Sequence, residues 1–171
     1  MSIKNTFFLC LLSLGILTGC GPKLPDGMPK LHPVTITVTQ DGTPLADANI
    51  VLSGVGDWVS TGSTDAQGVA QLFTQGRYPG VPAGTLKVTV TKVGTEGEPP
   101  PPNPFDAESE RVYQEYQRAG KSYRQFHVVP PDYRQESTTP LTVEVAPGIK
   151  NVSVNVEGTV NEDIRRSGPG M

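Results

Sequence analysis

The stretch "VTITVTQDGTPLADANIVLS", residues 34–53, decides the fold. Val34, Ile36 and Val38 alternate with Thr35, Thr37 and Thr39, a period of two that predicts a half-buried strand with β-branched residues on both faces. Asp41-Gly42 supplies a tight turn, and Pro44 keeps the residues after it out of a central ladder. A second strand follows at Ala48–Ser53. Working outward, strands are expected at Asp57–Thr61, at Val69–Phe73 after the turn Asp65-Ala66-Gln67-Gly68, and at Leu86–Val93. Near the end, Leu141, Val143 and Val145 answer Val152, Val154 and Val156 across Pro147-Gly148, which reads as a hairpin with one apolar face. About seven short strands separated by turn signals, with little helix, predict an all-β sandwich of two sheets. The alternating apolar positions are enough to close one core.

The chain opens differently. Lys4 is followed by an apolar run from Phe7 to Leu17, then by the small residues Thr18 and Gly19 and by Cys20, the order of a secretory signal. Eleven helical residues reach only about 17 Å, against about 30 Å for a bilayer core, so the run is too short for a conventional span. Leu17-Thr18-Gly19-Cys20 resembles the lipobox of bacterial lipoproteins. The resemblance implies removal of residues 1–19, a diacylglyceryl thioether on Cys20, N-acylation of the new terminus, and attachment to the membrane through those acyl chains, which together hold firmly. The alternative is an ordinary secretory leader with Cys20 a few residues into the mature chain. Cys10 would leave with the leader, so Cys20 has no partner for an intramolecular disulfide, and lipidation removes the liability of a lone thiol in an oxidising compartment. Gly21 stands where many such lipoproteins carry an inner-membrane retention Asp, which favours the outer membrane.

Residues 20–33 read as a tether. Prolines at 22, 25, 29 and 33 make it stiff, and the thirteen residues after Cys20, Gly21–Pro33, at about 3.1 Å each span up to about 40 Å. The 152 residues after the leader carry thirteen basic and seventeen acidic side chains, a balance that argues against nucleic acid and against a second, electrostatic grip on anionic lipid. Between the expected strands lies Gly94–Ser137, forty-four residues and far longer than a usual connection. It begins "GTEGEPPPPNP", acidic and then polyproline-like, but continues with Phe105, Tyr113, Tyr116, Tyr123, Phe126 and Tyr133, and true linkers lack aromatics. Asp106 suits a helix N-cap, Glu108 and Glu110 its first turn, Arg118 its last and Gly120 its end, with Val112, Tyr113, Tyr116 and Ala119 on one face. That face either packs the helix on an open face or edge of the sandwich, or, with Tyr123 and Tyr133, forms an exposed binding surface. Residues 158–171 read as a flexible tail.

The series "DGTPLADANIVL", "TDAQGVAQL", "PAGTLKVTVTK", "VVPPDY" and "TPLTVEV" resembles bacterial lipoproteins with a carboxypeptidase regulatory-like domain, a transthyretin-like Greek-key sandwich of seven strands. The resemblance covers Val34–Val93 and Val128–Glu157, and it implies a non-catalytic module of the cell envelope. The sequence departs from the pattern at Ala70, where the family tends to carry a large core residue.

No residue set spells out a reaction. The transthyretin fold also hosts a hydrolase of purine degradation, which needs histidines, an arginine and a C-terminal Tyr-Arg-Gly-Ser, whereas this chain ends "RRSGPGM". Intradiol dioxygenases of the same fold class bind iron through two tyrosines and two closely spaced histidines; here His32 and His127 are ninety-five residues apart, and both read as surface histidines. There is no GxSxG, and neither histidine has a recognisable nucleophile partner. Asp41, Asp47, Asp57 and Asp65 near strand ends lack the spacing of a calcium loop and read as turn chemistry. Trp58 reads as a core anchor. No catalytic residue, metal site or cofactor is therefore expected. The function expected is a lipid-anchored envelope module contacting other envelope components, and the alternative is an accessory domain binding a polysaccharide or peptide through Tyr113, Tyr116, Tyr123 and Tyr133.

Overall fold

The computed structural model describes residues 24–101 and 107–164. The leader, Cys20, Phe105, Asp106 and the last seven residues, 165–171, lie outside the described residues. The chain runs through β1 (Leu31–His32), β2 (Thr35–Gln40), β3 (Thr43–Pro44), β4 (Asn49–Gly54) and β5 (Gly56–Ser63). Short pieces follow at β6 (Val69–Gln71), β7 (Phe73–Thr74), β8 (Tyr78–Pro79) and β9 (Val81–Pro82), then the long β10 (Gly84–Thr91) and β11 (Val93–Gly97). Helix α1 (Ala107–Arg118), β12 (Tyr123–His127), a 3-10 turn at Pro131–Tyr133, β13 (Thr142–Val145), β14 (Asn151–Val156) and β15 (Glu162–Asp163) complete it.

The molecule is an all-β sandwich with one short helix. One sheet has the order β13-β10-β4-β5-β7-β8, the other β14-β2-β3 with β6 also on β2. The two sheets face each other across one core: Ile36, Val38, Val154 and Val156 from one side, Ile50, Leu52, Leu86, Val88, Val90, Val143 and Val145 from the other. Each set is the every-second-residue face of its strand, so the period of two in the sequence is the direct cause of the burial. The Asp41-Gly42 turn forms as expected, with Asp41 at φ +49° and Gly42 at φ +80°, the primed geometry that matches strand twist. Pro44 sits in β3 at a sheet edge, where its missing N–H costs no ladder bond.

The expected hairpin of residues 141–145 and 152–156 does not form. β13 pairs antiparallel with β10, and β14 pairs parallel with β2 in the opposite sheet. A two-stranded hairpin would place both valine stripes on one face, whereas here they meet the core from opposite sides. Ala146-Pro147-Gly148-Ile149 makes the crossing: Ile149 N–H donates to Ala146 C=O at 3.1 Å and Gly148 has φ +95°, a type II turn.

Several other expectations are refined. The strand expected at Val69–Phe73 breaks at Leu72, and that at Leu86–Val93 breaks at Lys92. Ala70 is small because a Cβ added at Gly62 of β5 would lie 3.4 Å from its own and 2.4 Å from the Gln71 carbonyl: the two strands cross too closely for a larger pair. Trp58 is half-buried beside the β4–β5 turn and does not join the core cluster. The tether is shorter than its composition implied, because β1 pins Leu31 and His32 to Pro82 and Val81. The described part of the tail, residues 158–164, is tied down: Val160 N–H donates to Val128 C=O at 3.0 Å and β15 pairs with β12.

Buried hydroxyls close the polar ledger. Thr64 Oγ1 accepts from Ala48 N–H at 2.8 Å and donates to Leu45 C=O at 2.7 Å, holding the strap between β3 and β4. The Asp65 carboxylate accepts from the N–H groups of Gln67 and Val69, both at 2.9 Å, which fixes the turn into β6.

Leu86→Ala removes a side chain that is 0% exposed, and should cost about 2–5 kcal/mol in urea unfolding. Val93→Ala, at 47% exposure, should change stability by less than about 0.5 kcal/mol.

Candidate functional site

The long insertion is an arm. β11 and β12 pair from Val93↔His127 to Gly97↔Tyr123, and α1 sits at the far end of this ribbon. Gly97 has φ +87°, and an added Cβ would lie 1.9 Å from the Ser122 carbonyl, so only glycine lets the strands close there. The helix ends as its sequence predicts, with Gly120 at φ +61° and Ala119 N–H donating to Glu115 C=O at 2.9 Å. It does not pack on the sandwich. Its Tyr116 is 8% exposed because the ring folds onto the proline-rich segment, and its hydroxyl donates to the Glu98 carbonyl. Lys121–Glu98 and Arg124–Glu96 ion pairs brace the ribbon at 2.7 and 2.6 Å.

The four tyrosines expected to share a binding surface are divided. Tyr113, Tyr116 and Tyr123 gather with Pro100 and Lys121 around a hollow of about 330 Å³. Tyr133 belongs elsewhere: it packs against the sandwich core, and its hydroxyl accepts from Glu157 N–H at 3.3 Å. Tyr116 is consumed by its own packing, which leaves Tyr113 and Tyr123 as the half-buried aromatic rim.

A larger concavity, about 540 Å³, lies at the opposite end of the sandwich, where the chain enters through β1. Pro33, Val34, Leu72, Phe73, Pro79 and Ile149 give it an apolar lining, and His32, Lys150 and Asn151 add polar groups. Its geometry follows from local rules. Thr74 turns inward, where its Oγ1 donates to Gly80 C=O at 2.7 Å and shares a hydrogen bond with Ser60 at 2.9 Å; alternation then turns Phe73 outward, at 36% exposure. A Cβ at Gly80 would meet the His32 carbonyl at 2.8 Å, so glycine there allows β1 to lie against the loop between β8 and β9. Sequence reading missed this groove because its residues come from four separate segments, 32–35, 71–73, 79–80 and 148–151. The one local signal was the adjacent pair Leu72-Phe73, which breaks the alternation.

At the base of the arm, His127 is half-buried, and its Nδ1 is shielded without a hydrogen-bond partner among the described residues. The expectation of a surface histidine is corrected accordingly. Arg134 and Glu162 pair beside it. Burial lowers the affinity of His127 for a proton below the ordinary imidazole value of 6.5, the Arg134 charge lowers it further, and Glu162 opposes both. Asp41 and Asp65, considered above as calcium ligands, spend carboxylate oxygens on backbone N–H groups of Gly158 and of Gln67 and Val69. Among the described residues no three His, Cys, Asp or Glu side chains come together as a metal-ligand set.

No protein-family model, curated protein or solved structure matches the chain. The two hollows and the His127 cluster therefore have to be interpreted from their own chemistry.

The His127 shift has a definite sign. With the folded value below 6.5, the unfolded chain binds the extra proton first, so this contribution to stability is complete above that value and declines as pH falls through it. The melting temperature should drop as pH falls through and below about 6.5, and His127→Gln should flatten that part of the profile.

Proposed function

We propose that this chain is a lipid-anchored module of the cell envelope that carries a binding groove close to the membrane and serves a structural or protein-interaction role. The reading rests on where the chain joins the domain. Cys20, in its lipobox-like setting, precedes β1 by only ten residues, 21–30, and β1 itself forms one wall of the apolar groove. Ten proline-rich residues reach at most about 31 Å, so an acylated Cys20 would keep the groove within that distance of the bilayer. Phe73 and Ile149 supply apolar contact, and Lys150 adds one positive charge at the rim, a composition suited to an apolar peptide segment of another envelope protein.

A narrower form of the glycan reading is kept by one observation, the half-buried Tyr113 and Tyr123 around Pro100 at the tip of the arm. An aromatic pair of this kind suits a sugar ring or a proline side chain. On a glycan array a specific hit lost in Tyr123→Ala would favour this reading over the groove.

The anchor is tested by intact mass and fractionation. The membrane-extracted chain should begin at Cys20 and exceed its amino-acid mass by the acyl groups, and Cys20→Ser should move to the soluble fraction. An unacylated, soluble wild type would overturn the proposal.

A further inference from the structure

The sandwich treats its edges unequally. β3 and β8 are two-residue strands each holding a proline, Pro44 and Pro79; β13 carries Glu144; β11 carries Glu96; and β15 is Glu162-Asp163. Short length, proline and charge are the usual guards against edge-to-edge pairing. β14 is different: six residues, Asn151–Val156, with neither proline nor charge, at the end of its sheet with β2 on one side and no strand on the other among the described residues.

Its backbone is also correctly turned. Lys150 C=O accepts from Thr35 N–H and Val156 C=O from Asp41 N–H, both at 2.9 Å, so the even-numbered residues direct their polar groups to β2. Alternation directs those of Asn151, Ser153 and Asn155 to the open side. The same three side chains are exposed, while Val154 and Val156 face the core at 8% and 0% exposure.

The sequence of this edge reads the same in both directions: Asn151-Val152-Ser153-Val154-Asn155. We propose that β14 pairs antiparallel with β14 of a second copy, joining two sandwiches across a two-fold axis at Ser153. In that register Ser153 faces Ser153, Asn151 of one copy faces Asn155 of the other, and Val152 faces Val154, so every side chain meets its own type or a valine on its own face. The residues with outward backbone groups fall opposite one another, giving about six hydrogen bonds, two for each such pair. No like charges meet, and a self-complementary patch closes as a dimer instead of propagating. The contact is one strand wide, so the association is weak, and confinement of both copies to one membrane would strengthen it through effective concentration. Because the strands run antiparallel, the two tethers leave from opposite ends of the joined sheet, so a membrane-held pair lies with its strands along the bilayer.

Cysteine cross-linking in the full chain reads the register. Paired Cα atoms lie about 5.5 Å apart at a hydrogen-bonded site, within disulfide range, so Ser153→Cys should form a covalent dimer under mild oxidation. Asn151→Cys places its two copies about 14 Å apart along the strands and should cross-link at least about tenfold more slowly, which also controls for Cys10 and Cys20. Light scattering of the detergent-extracted wild type should show mass rising from one copy to two with concentration. Ser153→Pro, which removes an outward N–H and leaves the β2 ladder intact, should stay at one copy with little change in melting temperature. If that variant fails to fold, Ser153→Lys, which sets two charges face to face on the axis, should give the same loss of dimer. Equal cross-linking of Ser153→Cys and Asn151→Cys, or a wild type that stays at one copy at every concentration, would overturn the proposal.

Discussion

The parallel pairing of β2 with β14 is the contact on which the rest of the structure depends. It joins the first long strand to the last, from Thr35↔Asn151 to Gln40↔Val156. Side chains reinforce the ladder on its outer face: Thr35 Oγ1 donates to Asn151 at 2.6 Å and Thr39 Oγ1 to Asn155 at 2.8 Å, each across 116 positions of sequence. Until this pairing forms, β2 has only the short β3 and β6 as neighbours, and one side of the core is open. Closing so long a loop is entropically costly and is repaid only when Val154 and Val156 enter the core, which places this sandwich among the topologies that fold slowly.

That one pairing also sets the two ends of the molecule. β2 begins beside β1 and the apolar groove, and it finishes at Gln40, whose Nε2 donates to the carbonyls of Val128 and Gly158 at the base of the arm. Groove and arm are therefore held at opposite ends of a strand about 20 Å long. The His127–Arg134–Glu162 cluster lies at the junction of arm and sandwich, where β12 pairs with β15.

How much of this was legible in the sequence depends on the range of the interaction. Turn chemistry at Asp41-Gly42 and Asp65–Gly68, the alternation in β2, β4 and β10, and the acidic start and glycine end of α1 are local, and they read correctly. The valine stripes of β13 and β14 were correctly seen as core, yet assigned to one hairpin, because a period of two states which residues face inward and not from which side. Ala70 is unintelligible without Gly62 crossing above it. The tyrosines failed as a set for the same reason: Tyr116 and Tyr133 are each absorbed by a partner distant in sequence, Glu98 and Glu157. The groove, assembled from four segments, left only the Leu72-Phe73 pair as a trace.

The edges show what local chemistry can specify beyond the single fold. Proline, brevity and carboxylates protect β3, β8, β11, β13 and β15, each by a residue choice that contributes little to the core. β14 cannot use the same devices freely. Its inward positions must be apolar to complete the core, and Asn151 and Asn155 are engaged by Thr35 and Thr39 to secure the long-range pairing. A lysine at either asparagine would guard the edge but would lose the hydroxyl acceptor that ties β14 to β2. Ser153 carries no such duty, since among the described residues no side-chain bond holds it, and a charge there would protect the edge at little cost to the ladder. An uncharged serine at that centre, flanked symmetrically by valine and asparagine, is the one choice along β14 that the needs of the monomer do not account for, and it is the position that pairing with a second copy places on the axis.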